Sequence, residues 1–345
     1  MSMPLSRKSA VCLLAALFLA GPAIGRAVAA DATYTPSPEL LAAAKKEGKV
    51  VLYTANFLTT EQTVVKRFSE RFPGIQVEMV RAPTGQLVAR INTEAAANKL
   101  IADVIDISDR PRARAMAGIF ADYAPPNAAD YPEKTRTGQL WPRSANAWTI
   151  TYNSELVKDP PKSWADLVKP EYGKYLGQTV VASGGAPFTR GMFERTMFGE
   201  DYLKKQAAMK PMLFPSQAPM VDAMIRGEIG VAPLVTALAV PLSNSGAPIK
   251  WLFAPEGVPV TVFCAGLTKT AGHPNAGKLF LDWALSREGQ TLMVELGFFS
   301  VMKDPPAPPG IDTKTLKTWI PDEAEYAKVF APWTEDWNKI YGYRQ

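Results

Sequence analysis

The chain has 345 residues, of which 47% are hydrophobic, and it carries a formal net charge of +5. A chain of this length and apolar content is long enough to build two hydrophobic cores rather than one. Arg7, Lys8 and Arg26 lie in the first 30 residues and supply three of the five net charges, which leaves the rest nearly balanced at +2. A balanced charge argues against nucleic acid as a partner.

The first 30 residues have the order of a secretory signal peptide. Two basic residues precede an apolar run from residue 10 to residue 20, and small residues around Ala27 and Ala29 follow it. The run is about half of the ~20 residues that a membrane-spanning helix needs. We therefore expect export and cleavage near Ala29 or Ala30. The cleaved chain keeps one cysteine, Cys264, which excludes an internal disulfide.

The chain after this leader alternates predicted helices and strands, as in an open parallel sheet. The first helix begins at Ser37, has Pro38 at its first position and ends at Gly48. The pattern continues with a strand at 50–53, a helix from about 60 to 72, a strand at 75–80, a helix at 85–97 and a strand at 103–107.

A second α/β set follows a looser stretch after residue 126. Its predicted elements are a strand at 148–152, a turn-helix at 163–167, a strand at 179–182, helices after 187 and at 219–226, strands at 229–233 and 260–267, helices beginning near 274 and 286, and a C-terminal helix at 322–341. Two α/β lobes explain this order better than one.

Several segments resemble the bacterial periplasmic solute-binding proteins of the ferric-iron, thiamine, polyamine and phosphonate importer group. In chain order they are KEGKVVLY at 46–53, FSERFPGIQV at 68–77, ADV at 102–104, SWADL at 163–167, GEI at 227–229, and HPNA at 273–276 through SREGQ at 286–290. The resemblance covers nearly the whole chain after the leader. It implies an α/β type II binding-protein fold, with two lobes, each a mostly parallel sheet flanked by helices, and a ligand cleft between them.

The resemblance also implies a division of the chain and a function. The first lobe takes residues 31–144 and 258–302, and the second takes 145–257 and 303–345 with the C-terminal helix. The expected protein is periplasmic and monomeric, needs no cofactor, and hands a small solute to an inner-membrane ABC permease.

Candidate ligand-binding residues follow from the rule that open α/β sheets bind ligands beyond the carboxyl ends of their strands. From the first lobe the rule selects Asn56, Phe57, Thr84, Gly85, Ser108 and Asp109. From the second it selects Asn146, Trp148, Ser183, Gly184, Gly185, Ser216, Gln217 and Thr236.

Three of these features have an equally good structural interpretation. The Gly-rich turn at 183–188 leads into a helix, so its N–H groups fit an anionic oxygen, but its glycines also fit a tight turn without a ligand. Thr84 and Gly85 also fit an ordinary helix start. Phe57 and Trp148 suit apolar faces of a ligand site and suit plain core packing equally well.

Iron is disfavoured by comparison with the ferric-binding members, which use a histidine, a glutamate and two adjacent tyrosines, with an arginine and a Ser-Gly turn for an anion. The corresponding residues here are Phe57, Asp109, Ala237 and Leu238, with Asn146 for the arginine and Ser183-Gly184 retained. A ferric ion needs anionic oxygen or imidazole ligands. We therefore predict no metal site and a small polar, anionic organic solute, with a ferric-ion or thiamine receptor as the alternatives.

Catalysis is not expected from the sequence. Its one histidine, His273, sits between Gly272 and Pro274, as a helix cap or turn residue would, and Cys264 lies in an apolar strand. The sequence contains no HExxH, P-loop, GxGxxG or CxxC motif. A secreted enzyme that depends on His273 or Cys264 is the remaining alternative.

Overall fold

A computed structural model describes residues 33–344, with the backbone alone at residue 134. The predicted signal peptide and its cleavage site lie outside the described residues. The helices are α1 Pro38–Glu47, α2 Leu58–Arg71, α3 Thr84–Ala96, α4 Arg110–Ala115, α5 Gly185–Ala208, α6 Gln217–Ile225, α7 Thr236–Asn244, α8 Pro274–Leu285, α9 Arg287–Glu295 and α10 Glu323–Tyr341. The strands are β1 Lys49–Thr54, β2 Gln76–Arg81, β3 Val104–Ile107, β4 Trp141–Asn153, β5 Gly177–Thr179, β6 Met212–Phe214, β7 Val231–Val235, β8 Ile249–Leu252, β9 Val258–Leu267 and β10 Thr318–Trp319.

In the first lobe, β1 lies between β2 and β3 and pairs with both in parallel. After Lys49 the strand is buried throughout, as expected where helices cover both faces of a sheet. Phe68 of α2 and Phe280 of α8 pack together on one face, with ring centroids 5.1 Å apart. Leu87 and Ile91 of α3 belong to the apolar cluster on the other face. This packing holds the carboxyl ends of three strands at one edge of the lobe.

The second lobe repeats this arrangement with different strands. β5 pairs with β6 in parallel, and a parallel bridge joins Leu176 to Val231 at the start of β7. β7 and β8 lie on either side of the second half of β4, and both are antiparallel to it. Met220 and Met224 of α6 are fully buried against this sheet. The carboxyl ends of β5, β6 and β7 therefore also share one edge.

β4 and β9 carry the chain between the lobes. β4 pairs with β9 through Ala147, and it pairs with β7 from Trp148 onward. β9 also pairs with β3 of the first lobe. Two antiparallel strands thus join two α/β lobes, which is the type II arrangement. The lobe boundaries of 31–144 with 258–302 and 145–257 with 303–345 stay a prediction.

Two predicted strands differ most from the observed bounds, and a third, predicted at 229–233, lies two residues later at Val231–Val235. The strand predicted at 179–182 ends at Thr179, and Val181–Ser183 forms a 3₁₀ turn. The strand predicted to begin at Trp148 begins at Trp141. Pro142 concealed this earlier start, because proline is rare inside a sheet. The structure accommodates it with a shift of register before Ser144.

The C-terminal helix α10 packs against α5. The side chain of Asp322 caps it by accepting a hydrogen bond from the N–H of Glu325. The rings of Tyr326 and Phe330 lie 4.8 and 4.7 Å from the ring of Phe188. In the part of the chain that the structure describes, neither this helix nor any other combines the length and apolar character needed to cross a membrane.

Candidate functional site

The structure places most of the predicted residues at the carboxyl ends of strands. Asn56 and Phe57 follow β1, Thr84 and Gly85 follow β2, and Ser108 and Asp109 follow β3. In the second lobe Ser183, Gly184 and Gly185 follow β5, Ser216 and Gln217 follow β6, and Thr236 follows β7. Asn146 and Trp148 differ from the rest because both lie inside β4, where the chain crosses between the lobes.

The two lobes contact each other at Gly185. Thr84 Oγ1 and Ser108 Oγ of the first lobe lie 3.0 Å apart, and Gly185 of the second lobe packs against both. A Cβ atom at Gly185 would lie 2.3 Å from Ser108 Oγ and 3.2 Å from Thr84 Oγ1. A glycine is therefore needed for the lobes to approach this closely. The structure shows the cleft closed at this point.

A small cavity remains beside this contact. It has a volume of about 20 Å³, and its walls include Ser108, Thr189, Thr261 and Tyr326. A cavity of that size holds about one water molecule, whereas small-molecule sites measure roughly 300–1,000 Å³. The lobes must therefore separate by hinge motion before an organic solute can enter at this contact.

The first three N–H groups of the Gly-rich turn, those of Ser183, Gly184 and Gly185, are already hydrogen-bonded in this conformation. Ser183 and Gly184 donate within the 3₁₀ turn, at 3.4 and 3.0 Å. Gly185 donates to the hydroxyl of Tyr326 on α10 at 3.0 Å. An anionic oxygen can take the Gly185 N–H only if the hydroxyl of Tyr326 gives up this bond. The sequence could not reveal this partner, because it comes from the other end of the chain.

Asp109, at the start of α4, lies next to the Gly-rich turn. Its buried carboxylate accepts from the N–H of Arg112 at 3.2 Å and lies 3.4 Å from the Arg112 guanidinium. Burial raises the pKa of Asp109, and the charge of Arg112 opposes that shift. Arg112 also stacks over the ring of Phe330, 4.5 Å from its centroid. This carboxylate is thus balanced by a cation next to the Gly-rich turn.

Polar side chains with unsatisfied atoms line one part of the crossover. We call Ser144, Asn146, Trp148 and Thr261 the crossover floor. Asn146 and Thr261 face each other across β4 and β9, and Ser144 and Trp148 lie on the same face of β4 as Asn146, because alternate residues of a strand share a face. All four are buried, at 2% exposure or less.

The crossover floor lacks internal hydrogen bonds. Within residues 33–344 no partner reaches Ser144 Oγ, either side-chain polar atom of Asn146, Trp148 Nε1 or Thr261 Oγ1. Buried polar groups are nearly always satisfied in native proteins, because an unmade bond costs about 1–3 kcal/mol. Such a cluster is the arrangement expected where a ligand or water completes the bonding.

Other predicted residues use their side chains within the fold. Gln217 Oε1 accepts from the last N–H of β7 at 2.9 Å. Thr236 Oγ1 accepts from the N–H of Ala147 at 3.4 Å. Asn56 Oδ1 accepts from the N–H of Phe57 at 2.9 Å, whereas the Nδ2 of Asn56 has no partner in the described part of the chain. These three residues fix the starts of α6, α7 and α2 around the cleft.

Two residues at the cleft were missed from the sequence. Arg81, at the end of β2, donates to the carbonyl of Asn56 at 2.9 Å, and burial lowers its pKa. Thr261 stands as the one polar side chain in the apolar run VPVTVF. A cation at the carboxyl end of a strand, and a lone polar residue in a buried strand, are the signals that could have found them.

A buried ion-pair triad ties α2 to the crossover. The guanidinium of Arg143 in β4 binds both oxygens of Glu61 in α2, at 2.7 and 3.1 Å, and also binds Asp106 of β3. Burial raises the pKa of Asp106 to about 6, and the charge of Arg143 opposes this rise. The start of α2, which borders the cleft, is therefore fixed relative to the strand that joins the lobes.

The two residues considered for catalysis have structural partners. Nδ1 of His273 lies 3.0 Å from Asp103, which also accepts the His273 N–H at 2.9 Å just before α8. Cys264 is fully buried in β9, and burial raises the pKa of its thiol to about 12. A thiol with so high a pKa is a poor nucleophile at neutral pH.

Metal ligands are not grouped in the described residues. No three side chains of His, Cys, Asp or Glu type come together there in a way that could hold a metal ion. Phe57, Ala237 and Leu238, which correspond to the ligands of the ferric-binding proteins, offer no side-chain oxygen or nitrogen to a hard cation.

A sequence model of the bacterial extracellular solute-binding proteins matches residues 54–291, well over half of the chain. The chain belongs to this family. A periplasmic protein of Salmonella typhimurium, provisionally named for 2-aminoethylphosphonate binding, is 25% identical over 285 residues, which are 77% of this chain and 83% of the relative. The family and this relative make the protein a solute-binding component of an ABC transporter and place it in the periplasm.

Solved structures support the same fold. AfuA from Actinobacillus pleuropneumoniae, with fructose-6-phosphate bound, has a TM-score of 0.74 and 20% identity, covering 86% of this chain and 99% of that one. Iron-bound HitA from Pseudomonas aeruginosa has a TM-score of 0.69 and 22% identity, covering 84% and 99%. These similarities confirm the two-lobed type II fold with a cleft, and they concern proteins that bind different solutes.

Proposed function

We propose that this protein captures a small anionic organic solute between its lobes and delivers it to the permease of an ABC importer. It does so as a monomer, without a cofactor and without catalysis. The observation that carries the proposal is the crossover floor, where Asn146, Trp148 and Thr261 leave buried polar atoms unsatisfied. A solute that forms hydrogen bonds with these atoms would offset the cost of leaving them unsatisfied in the folded chain.

The chemistry of the floor favours an oxygen-rich anion. The indole of Trp148 is a donor and cannot accept, and the hydroxyls of Ser144 and Thr261 can each donate. The amide of Asn146 adds two donor hydrogens and one acceptor oxygen, so the floor offers more donors than obligate acceptors. A phosphonate, phosphate or carboxylate group presents acceptors alone, so each of these donors can be satisfied by it.

One relative by sequence and one solved structure of similar fold agree with an anionic solute. The Salmonella relative is provisionally named for a phosphonate, and AfuA binds a sugar phosphate. Ferric ion and thiamine are the alternatives, and both are cations that would meet N–H and O–H donors at the crossover floor. We therefore favour a phosphonate or phosphate ester.

Two measurements test the class of solute. Native mass spectrometry of protein purified from the periplasm would identify what co-purifies in the cleft. A thermal-shift panel of phosphonates, phosphate esters, carboxylates, thiamine, polyamines and ferric citrate would follow, since a ligand that binds the native state raises the melting temperature. A shift confined to thiamine, polyamines or iron would contradict the proposal.

A pair of isosteric variants tests the crossover floor itself. Thr261→Val removes a hydroxyl without a partner, so we expect the unliganded protein to gain about 1 kcal/mol of unfolding free energy and solute affinity to fall roughly 10- to 100-fold. Thr149→Val is the matched control. Thr149 is equally buried in β4, but its hydroxyl lies 2.8 Å from Thr151 Oγ1 and donates to the carbonyl of Leu234 at 2.9 Å.

The two variants should move stability in opposite directions. Thr149→Val should lose about 1 kcal/mol or more and should leave the affinity within a few-fold of wild type. Urea unfolding and isothermal titration measure the two quantities. If Thr261→Val destabilises the unliganded protein as Thr149→Val does, its hydroxyl has a structural partner and the floor is not a solute site.

A further inference from the structure

A second, mostly apolar groove opens between the lobes on the α2 side. Its volume is about 380 Å³, within the range of small-molecule sites. The lining comes from α2, α6, α7 and the residue after α9. The lining includes Thr63, Val221, Ala237, Leu238, Ser245 and Leu296.

The walls of the groove carry no ionisable side chain. Carbon dominates them, with threonine hydroxyls along the α2 wall and Ser245 at the end of α7. One of those hydroxyls, that of Thr63, already donates to the carbonyl of Thr59 at 3.1 Å. The acidic residue nearest in sequence, Glu61, is buried and paired with Arg143. A charged group placed in this groove would find no counter-ion, whereas a hydrocarbon group would be desolvated there favourably.

The start of α7 lies between the groove and the proposed solute site. Thr261 of the crossover floor faces Asn146 across the two strands. The next residue of β4, Ala147, donates its N–H to Thr236 Oγ1 at 3.4 Å. Thr236 begins α7, and the residue after it, Ala237, lines the groove. The floor and the groove are therefore neighbours, joined through the first two residues of α7.

The groove wall is held in place by a close contact between chain segments. Gly297, just after α9, approaches so near to α7 that a Cβ atom there would lie 2.9 Å from the carbonyl of Thr236 and 3.1 Å from Cα of Ala237. The start of α7 thus cannot withdraw toward α9. The width of the groove is set on this side by the fold rather than by a mobile loop.

We propose that this groove seats the hydrocarbon part of the solute whose anionic group binds at the crossover floor. The inference rests on the proposed function and refines it to a phosphonate or phosphate ester that bears an uncharged apolar substituent. An apolar substituent distinguishes this solute from an aminoalkyl phosphonate. The ammonium group of such a phosphonate would contact Leu238 and Val221 in the groove, where it would need a carboxylate as counter-ion.

The test is isothermal titration with methyl-, ethyl-, propyl- and butylphosphonate and with 2-aminoethylphosphonate. We expect affinity to rise about four-fold for each added methylene group, until the groove is filled. Propylphosphonate and 2-aminoethylphosphonate have nearly the same shape and differ at one end, CH₃ against NH₃⁺. We expect the propyl compound to bind at least about ten-fold more tightly.

A groove-filling variant locates the effect. Thr63→Trp introduces a large ring from the partly exposed side of α2, without disturbing the buried core. It should weaken butylphosphonate roughly ten-fold or more and leave methylphosphonate unchanged. Thr93→Trp is the control, because Thr93 lies on the exposed face of α3 and makes the same bond to the carbonyl four residues earlier, at 2.9 Å.

The outcomes separate the two proposals. If phosphonates bind but affinity is flat or falls with chain length, or the aminoethyl compound matches the propyl compound, the groove proposal is wrong and the proposed function stands. If Thr63→Trp weakens methylphosphonate and butylphosphonate equally, the groove is not the seat of the chain. If thiamine, a polyamine or ferric citrate binds and no phosphonate, phosphate ester or carboxylate does, both proposals fail.

Discussion

Substitution of Gly185 by alanine should prevent the lobes from closing. The new Cβ would lie 2.3 Å from Ser108 Oγ, and Ser108 cannot rotate away without losing its 3.0 Å contact with Thr84. Overpacking of this kind costs about 1–3 kcal/mol. Solute affinity scales with the closed fraction, and each 1.4 kcal/mol is a factor of ten. We therefore expect an affinity loss of roughly 5- to 150-fold.

Gly184→Ala provides the control for backbone strain. Gly184 has φ 69° and ψ −172°, a region almost restricted to glycine, so alanine there should cost about 1–3 kcal/mol of stability. Its Cβ would lie 3.4 Å from Asp109 Oδ2 and 3.6 Å from the Arg112 guanidinium, which are ordinary contacts. Gly184→Ala should therefore lose more unfolding free energy than affinity. Gly185 also has a positive φ, 55°, so Gly185→Ala should lose stability as well, and its larger loss of affinity distinguishes it from Gly184→Ala.

The assay combines thermal unfolding of the unliganded variants with isothermal titration of the solute identified by native mass spectrometry. Small-angle scattering adds a direct measure, since wild-type protein should become more compact with saturating solute and Gly185→Ala should not. Ser108→Ala should rescue Gly185→Ala, because the remaining Cβ of Ser108 lies 3.5 Å from the added methyl. Binding by Gly185→Ala within three-fold of wild type, or failure of the rescue, would refute closure at this contact.

Three further predictions concern the core. Burial raises the pKa of Asp282 to about 6, and the hydroxyls of Tyr123 and Tyr34, which donate to its carboxylate, oppose this rise. The folded protein therefore binds the carboxyl proton of Asp282 more tightly than the unfolded chain does. The free energy of unfolding that Asp282 contributes falls as pH rises from about 4 to about 6. Asp282→Asn should thus add about 3 kcal/mol in urea unfolding near pH 8 and little near pH 4, and an equal gain at both would contradict this cause. Arg143→Ala should cost about 3–5 kcal/mol by leaving buried carboxylates unpaired; a loss under 1 kcal/mol in the same assay would show that water reaches the triad. Cys264 should resist Ellman's reagent in the folded protein and react rapidly in guanidinium chloride, and rapid labelling of the native state would contradict its burial.

The local pattern of the sequence was enough to predict most of the fold. Apolar runs such as Val50–Tyr53 and turn residues such as Gly48 mark where strands begin and helices end, because backbone geometry and side-chain period are local properties. The residues beyond the strand ends followed from the same pattern. Errors appeared where a local rule had an exception, as at Pro142, which a shift in register accommodates inside β4.

The candidate site depended on contacts that no local pattern encodes. The sequence indicated the Gly-rich turn at Gly185, but Tyr326, which takes its N–H, lies 141 residues away. The same holds for the pairing of Asn146 with Thr261, and for the groove between α2 and α7.

The sequence by itself therefore determined the two α/β lobes, the predicted leader and the loops that face the cleft. The tertiary structure alone decided which polar atoms are left unsatisfied, where the lobes touch and which surface is apolar. The physical reason is that hydrogen-bond satisfaction and desolvation depend on every neighbour in space. Those neighbours, such as Ser108 at Gly185, come from segments far apart in the chain.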